Sequence, residues 1–482
     1  MDIPAEFQFQ GLPSFPPLQL LRKFTVPSNG HTFNQHMPFR IPIESGRANG
    51  FLDPRRCYLE MTITIFIYND LSDTTKKAAL QMSRAGIASI IQTFRFLING
   101  RPVEEIEDFN FIAETLYATR ESIGDSNIGS ITRGRNAKLF CNENHADKNS
   151  FFYNTAVGQP EHEASFTFAM PILSGFLGNM AVKAFPLLLF PTGSLEIEIE
   201  PTEGRFGLVS SRYTGIQFKL TNIRLHYDEL IVSPEISAAV LQSVMQGKAN
   251  LATRSMKTYI TTIPAGVSSH RQILPIRLVN CDTLLFAFRP LHFYNSVATN
   301  QGFKLSRSCP ENFIHQIPIG SEVRTNGSFL NPVADGSFQI YIGSDPLFPE
   351  AWNSSSQFAA EVMVAFQDVQ SMSVAFGAEF SFGTGQSWTN YYADENSGFL
   401  IGVDLSRYSN TDIPNSGMNF SGKRVTYEIR NANSTHPLSR VADTDTGGYY
   451  EHRIGGGLRV HTIAIHHIRL NLLPGGAVIP TF

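Results

Sequence analysis

Tryptophan is nearly missing from this chain: only Trp352 and Trp388 occur in 482 residues, which leaves little from which to build the stacking platforms of a sugar-binding protein. Cysteine is scarce as well. Cys57, Cys141, Cys281 and Cys309 stand far apart with no CxxC pair, so a disulfide framework and a thiolate zinc site are both disfavoured, and the thiols are read as reduced and buried or incidental. Positive charge is not in excess. Thirty-eight Lys and Arg against 42 Asp and Glu give a formal net charge of −4. The basic clusters Arg55-Arg56 and Arg133-Gly134-Arg135 are short, and the first 23 residues hold only Arg22 and Lys23. A chain so poor in basic runs cannot neutralise many phosphates, so no strong nucleic-acid binding is expected. No apolar run approaches the roughly 18 residues of a membrane span, and no basic stretch followed by an apolar one opens the chain, so synthesis and folding in the cytosol or nucleus are expected.

What the chain has is apolar contact surface. Hydrophobic residues make up 42%, 38 of them phenylalanine, against 17% charged, the balance of a folded protein. Its length exceeds what one core usually organises, which favours two domains.

The division falls near the middle, where Phe218 to Gly266 reads as strand, helix, strand. Phe218 and Leu220 share one parity and Ile223, Leu225 and Tyr227 the other, so the period of two slips at Thr221-Asn222, as at a β-bulge. A helix follows. Ser233 suits its N-cap, Pro234 the first helical position, Glu235 the first turn and Gly247 the C-terminal glycine, with Ile236, Val240, Leu241 and Val244 as an apolar stripe.

The flanks repeat one another. Val26-Pro27 is followed by Pro38-Phe39-Arg40-Ile41, and Ile263-Pro264 by Pro275-Ile276-Arg277-Leu278, with 11 residues between the prolines in both copies and an offset of 237. At the far ends, Leu220-Thr-Asn-Ile223-Arg224-Leu225 matches Ile465-His-His-Ile468-Arg469-Leu470 at an offset of 245, which predicts a second parity slip at His466-His467. Two matches at nearly equal offsets imply internal duplication.

In chain order, the first 35 or so residues read as an extended arm. Pro13, Pro16 and Pro17 oppose regular structure, while Phe7, Phe9, Phe15, Leu18, Leu20 and Leu21 need burial. Strands are predicted at Phe39–Ile43 and at Tyr58–Tyr68, where Leu59, Met61, Ile63, Ile65 and Ile67 share a face. Phe94, Phe96 and Ile98 lead to the hairpin dipeptide Asn99-Gly100, and helical spacing is read from Ile106 through Phe109, Ile112, Ala113, Leu116 and Tyr117. Residues 120–165 form a long surface loop. Phe185 to Phe190 reads as a strand buried on both sides, and Leu195–Glu200 alternates without error. Later strands are read at Leu284/Phe286/Phe288, Phe338/Ile340/Ile342, Val362/Val364/Phe366 and Val425/Tyr427/Ile429. The expected fold is all-β: two tandem jelly-roll sandwiches with long loop insertions, comprising residues 1–232, a connector helix at 233–250, and residues 251–482.

Three runs carry a resemblance. FRFLINGRPVEEIEDFNFIAETLYAT from Phe94, FLGNMAVKAFPLLLFPTGSLEIEIEP from Phe176, and IRLHYDELIVSPEI from Ile223 resemble the first jelly roll of double jelly roll major capsid proteins of icosahedral DNA viruses, the adenovirus hexon, virophage and polinton-like lineage. The likeness lies in strand order, a strand-NG-helix unit and the duplicated layout; the second half differs in loop lengths. The resemblance implies a non-enzymatic shell subunit forming pseudo-hexameric homotrimers. Its implied partners are neighbouring capsomers and penton and minor capsid proteins. Its implied place is the virion, after synthesis in the host cytoplasm and assembly there or in the nucleus. The apolar N-terminal arm and the tail LLPGGAVIPTF, with Val478, Ile479 and Phe482, either pack on a neighbour or fold back on their own chain.

Candidate chemistry has a structural explanation at each point, and no catalytic, cofactor or metal residue is assigned. Asp443-Thr-Asp-Thr-Gly-Gly resembles the start of a calcium loop but has Gly447 and Ile454 at ligand positions. His461, His466 and His467 lack a carboxylate or cysteine at ligand spacing, and Gly383-Thr-Gly385 and Gly455–Gly457 lack a phosphate-loop ending. No GxSxG or HExxH occurs. Glu104, Glu105, Glu107 and Asp108 read as a solvated helix start. Sequons at Asn326, Asn353, Asn419 and Asn433 agree with exposed loops in the second half. The competing readings are a carbohydrate-binding or glycan-degrading β-sandwich and a minor vertex or spike virion protein.

Overall fold

The computed structural model describes residues 19–68, 79–82, 85–120, 128–129, 131–134, 138–141, 161–178, 184–210, 216–247, 249–264, 267, 269–290, 336–352, 357, 360–361, 364–365, 400–406, 417–431, 458–473 and 477–481. Strands dominate. The first half holds β1 (Gln19–Thr25), β2 (Thr32–Asn34), β3 (Phe39–Ile43), β4 (Gly50–Tyr68), β5 (Ala79–Met82) and β6 (Ile91–Ile98). Then come β7 (Arg101–Glu107), helix α1 (Phe109–Arg120), β8 (Lys138–Cys141), β9 (Glu161–Pro171), β10 (Leu195–Pro201), β11 (Leu208–Ser210) and β12 (Ile216–Ile231).

Helix α2 (Pro234–Met245) leads into β13 (Asn250–Ile263), β14 (Ser269–Leu274), β15 (Cys281–Pro290), β16 (Gly336–Ile342) and β17 (Asp345–Pro346). The chain continues through β18 (Leu400–Asp404), β19 (Val425–Asn431), β20 (Leu458–Leu472) and β21 (Val478–Thr481).

The sheet order repeats. In the first half β1-β12-β4-β9 faces β3-β10-β6-β7; in the second, β13-β20-β15-β18 faces β14-β19-β16-β17. Lettering the eight main strands of each half B to I in chain order gives B-I-D-G and C-H-E-F both times, the jelly-roll order. All pairings between them are antiparallel. Strands β5, β8 and β11 form a small third sheet beside the first sandwich.

Alternation explains these strands where one face is wet. In β10, Leu195, Ile197 and Ile199 are buried and the glutamates between them half-buried. The predicted bulge in β12 is present: its register with β4 shifts between Thr221 and Arg224, and Asn222 takes φ +50°. The hairpin between β6 and β7 turns on Asn99 (φ +51°) and Gly100 (φ +73°). A Cβ on Gly100 meets no atom within 4 Å, so Gly100→Ala should cost only its backbone strain, about 1 kcal/mol, read as a shift of the chemical-denaturation midpoint.

Several expectations need correction. Residues 19–25, read as part of the extended arm, pair with β12 of their own chain as a sheet strand; residues 1–18 lie outside those described. Ile106 belongs to β7, and α1 begins only after Asp108, whose φ of +51° breaks the strand. Phe185 makes a single bridge to Leu52, and Leu187–Leu189 is a 3-10 turn, because Pro186 and Pro191 bracket a run too short to extend. The described residues around Val364, namely Ala360, Glu361, Val364 and Ala365, are helical, not extended. In α2, Ile236, Ser237, Val240 and Val244 are buried while Leu241 is exposed, so the stripe runs along an i, i+4 row that Leu241 leaves. Ser233 precedes α2 with extended backbone but makes no capping hydrogen bond. The segment 275–278 follows β14 outside any strand, with Ile276 and Leu278 buried, so the front repeat marks the right region but not the strand register. Of the tail, Val478–Thr481 folds back on its own chain, pairing with β20 from Arg469 to Leu472; Phe482 lies outside the described residues.

Candidate functional site: the seam between the sandwiches

Glu104 organises the seam. The β6–β7 register shifts between Phe96 and Leu97, which sets Glu104 opposite Phe96 and Ile106 opposite Phe94, on the core-facing parity. The side chain is 1% exposed. Its Oε1 accepts from the Gly175 backbone N–H (2.9 Å) and from Ser255 Oγ (2.5 Å), and its Oε2 from Ser174 Oγ. Ser174 Oγ in turn accepts from the N–H groups of Phe176 (3.1 Å) and Leu177 (3.3 Å), which leaves its proton for the carboxylate. Ser255 sits on β13, so this carboxylate joins the two sandwiches, and Thr253 Oγ1 of β13 donates to the Gly175 carbonyl beside it. Burial raises the Glu104 pKa; the hydroxyl and backbone donors pull the other way without cancelling it. Glu104 is therefore no solvated helix start.

Its neighbours divide. Glu105 faces out and pairs with Arg95 (2.6 Å). Glu107 is exposed, yet its carbonyl accepts from Thr258 Oγ1 of β13 (3.2 Å). Asp108 Oδ1 accepts from Gln92 Nε2 (2.8 Å), and its Oδ2 lies 3.6 Å from His461 Nδ1 on β20, whose ring is 4.2 Å from that of Phe111 in α1.

Around these polar ties the seam is apolar. Leu284 and Phe286 of β15 and Val460 and Ala464 of β20 belong to the second sandwich's own core. Leu285, Ala287, Ile463 and Ile465, on the opposite parity, join Met256 in a cluster continuous with the first sandwich's core. Both faces of this sheet are covered, so the apparent slip at His466-His467 is not a bulge of β20. Its pairing with β13 is unbroken, and the register shift lies on β15 between Cys281 and Thr283. Asp282, at that shift, lies 2.7 Å from His467 Nε2 and 3.1 Å from Arg254 Nη2. Burial drives the His466 pKa down to about 4.

The remaining candidates that fall among the described residues have structural surroundings. Among the described residues no three His, Cys, Asp or Glu side chains converge to hold a metal. Trp352 is buried and stacks on Phe348 at 4.0 Å, so it offers no sugar platform. Cys57 and Cys281 are buried free thiols whose pKa burial pushes up. Cys141 lies in β8. Asn419 is exposed and accepts from the Ser421 N–H. Trp388, Cys309, Asn326, Asn353, Asn433, the 383–385 and 455–457 glycines and the 443–448 loop lie outside the described residues.

Two sandwiches of identical strand order packed on a shared seam are a specific arrangement, and solved structures reproduce it along nearly the whole chain. The Faustovirus major capsid protein superposes with a TM-score of 0.58 at 9% identity, covering 95% of this chain and 91% of that one. The chain has the double jelly roll fold. A chain of the Sputnik virophage particle gives 0.58 at 10% identity over 98% of this chain and 90% of its own. VP54 of PBCV-1, fitted into a reconstruction of Sputnik, gives 0.55 at 10% over 98% and 99%. No protein-family model and no curated protein matches the sequence, so the double jelly roll is visible here through backbone likeness alone. Sequence reasoning missed Glu104, Ser174, Gly175 and Ser255 as the seam's polar centre. The available signal was parity: Glu104 lies two residues before Ile106 on one strand and so shares its inward face.

Proposed function

We propose that this protein is a major capsid protein, a non-enzymatic shell subunit that forms pseudo-hexameric homotrimers tiling an icosahedral particle. One observation carries the reading: the F-strand side of the first sandwich is seated on the B-strand side of the second, through Glu104 and Ser255, Glu107 and Thr258. Such a contact is heterologous. Among the described residues it leaves the F side of the second sandwich and the B side of the first to a further copy, and repeating one head-to-tail contact closes a ring when the rotation between successive copies divides a full turn. Three chains contribute six similar lobes. The proposed division is the one drawn from the sequence, 1–232 and 251–482 about a 233–250 connector.

The structural neighbours named as capsid proteins support the same role. Neighbouring capsomers and penton and minor capsid proteins are its partners in this reading, and the virion its location. The buried Trp352 weakens the glycan-binding alternative. Mass measurement and negative-stain images of the purified full chain test the proposal. Trimers with a six-lobed outline are expected, whereas pentamers or a monomer at all concentrations would overturn it.

A further inference from the structure

Four Asn-Gly pairs occur in the chain, beginning at Asn29, Asn49, Asn99 and Asn326. In each, a glycine without a Cβ lets its own backbone nitrogen approach the preceding side-chain carbonyl carbon, Cγ, closely enough to react. The sequence ranks the four alike. Asn326 lies outside the described residues, and the fold gives the other three different surroundings.

At Asn29 the side-chain amide is tied at both ends. Nδ2 donates to the Pro38 carbonyl (3.0 Å) and Oδ1 accepts from the Arg40 N–H (3.0 Å), so losing the amide would cost the fold two bonds. At Asn49 the attacking group is tied instead. Gly50 is buried and pairs with Ile231 at the start of β4; its N–H donates to the Arg47 carbonyl (3.1 Å), and the Asn49 carbonyl accepts from the Val232 N–H (3.0 Å). Turning the Gly50 nitrogen toward the Asn49 side chain would undo these contacts.

Asn99-Gly100 is the tip between β6 and β7, and both residues are exposed. Its anchor lies before the reacting bond, where the Asn99 N–H donates to the Ser194 carbonyl (2.7 Å). Among the described residues the Gly100 N–H donates to no backbone carbonyl, and the space where a Gly100 Cβ would point is empty to 4 Å. The peptide between the two residues can therefore rotate without disturbing a packed neighbour.

We propose that Asn99 is a site of spontaneous deamidation, with the Gly100 nitrogen as the attacking group. That nitrogen loses its proton to hydroxide and bonds to Asn99 Cγ. The Cγ–Nδ2 bond then breaks, Nδ2 takes a proton from water and leaves as ammonia, and a succinimide ring remains. Water opens the ring at Cγ to give an aspartyl residue, or at the backbone carbonyl to give an isoaspartyl residue whose main chain runs through Cβ and Cγ. An aspartyl residue tolerates the positive φ of this tip. An isoaspartyl residue adds a methylene to the main chain, which a two-residue turn cannot take up without altering the Ile98–Arg101 pairing of β7, the strand that carries Glu104. A protein that persists without replacement, as a shell subunit would, accumulates the product with age.

Peptide mass mapping of the purified full chain, aged in mildly alkaline buffer made with heavy-oxygen water, tests the site, because the label enters only carboxyl groups formed during ageing. Asn99 should acquire label on the order of tenfold faster than Asn49, where attack must first break a backbone hydrogen bond in a buried setting. In the urea-unfolded chain the two should react alike, which assigns the difference to the fold. Gly100→Ala should slow labelling at Asn99 and leave Asn49 unchanged. Aged protein rich in isoaspartate should unfold at lower denaturant than Asn99→Asp, which should match the parent. Labelling at Asn99 no faster than at Asn29 or Asn49 in the folded chain would overturn the proposal. No readout depends on association, so that result would leave the shell reading untouched.

Discussion

Replacing Glu104 by alanine should lower the chain's stability by about 3–5 kcal/mol, because it strands three buried donors and opens a cavity at the seam. The donors are the Ser174 and Ser255 hydroxyls and the Gly175 N–H. Glu104→Gln should cost less, about 1–3 kcal/mol: its carbonyl can keep two of the three bonds, but its NH2 group faces a Ser174 oxygen already accepting from two backbone N–H groups. The pH dependence separates the two causes. A carboxyl whose folded pKa is raised takes up its proton more readily in the folded chain, so its contribution is fully present below the unfolded value near 4.5 and is lost as pH rises through the folded one. Chemical denaturation of the parent should therefore contain a component that weakens from acid toward neutral pH, and Glu104→Gln should lack it. An alanine variant within about 1 kcal/mol of the parent would mean that water replaces the carboxylate at no cost.

The second large effect is expected from Gly175→Ala. A Cβ there would stand 1.9 Å from the Arg254 carbonyl oxygen, on the backbone of the opposing sandwich, where real contacts stay beyond 3.0 Å. No side-chain rotation relieves such a clash, so β13 must move away from the 174–175 turn and take Ser255 and Thr253 with it. Overpacking alone costs about 1–3 kcal/mol, and the loosened hydrogen bonds bring the total to about 3 kcal/mol or more. Gly100→Ala, with open space around it, is the comparison. If the two variants unfold alike in denaturant, the close approach at Gly175 is not what holds the sandwiches together.

Both residues show where a sequence stops being readable. Strands β4 and β10 were legible because each has one wet face, and alternation records that directly. In β20 both faces are covered and residues of both parities are buried, so a change of apolar parity looked like a bulge of β20 when the extra residue lies on its neighbour β15. The connector and the β12 bulge were legible from local chemistry, Pro234 and Gly247 for the one and the slipped pattern for the other. Glu104 was misread because four acids within five residues look solvated, and its burial is imposed by Ser174 and Ser255, which lie 70 and 151 positions along the chain. Ile106 fits a strand and a helix equally well; Asp108, with positive φ, decides between them.

The shared cluster has a consequence for synthesis. Leu251, Leu285, Ile463 and Leu470 belong to the same apolar mass as Phe96 and Leu116, so the earlier half has no complete covering until the last long strand is made. At common translation speeds that wait is on the order of ten to fifty seconds, far longer than hydrophobic collapse. A nascent chain paused there exposes a greasy bed on a ribosome crowded with identical copies. Expression of the leading half alone should therefore yield a sticky product, and chaperone occupancy should peak before translation reaches Leu458.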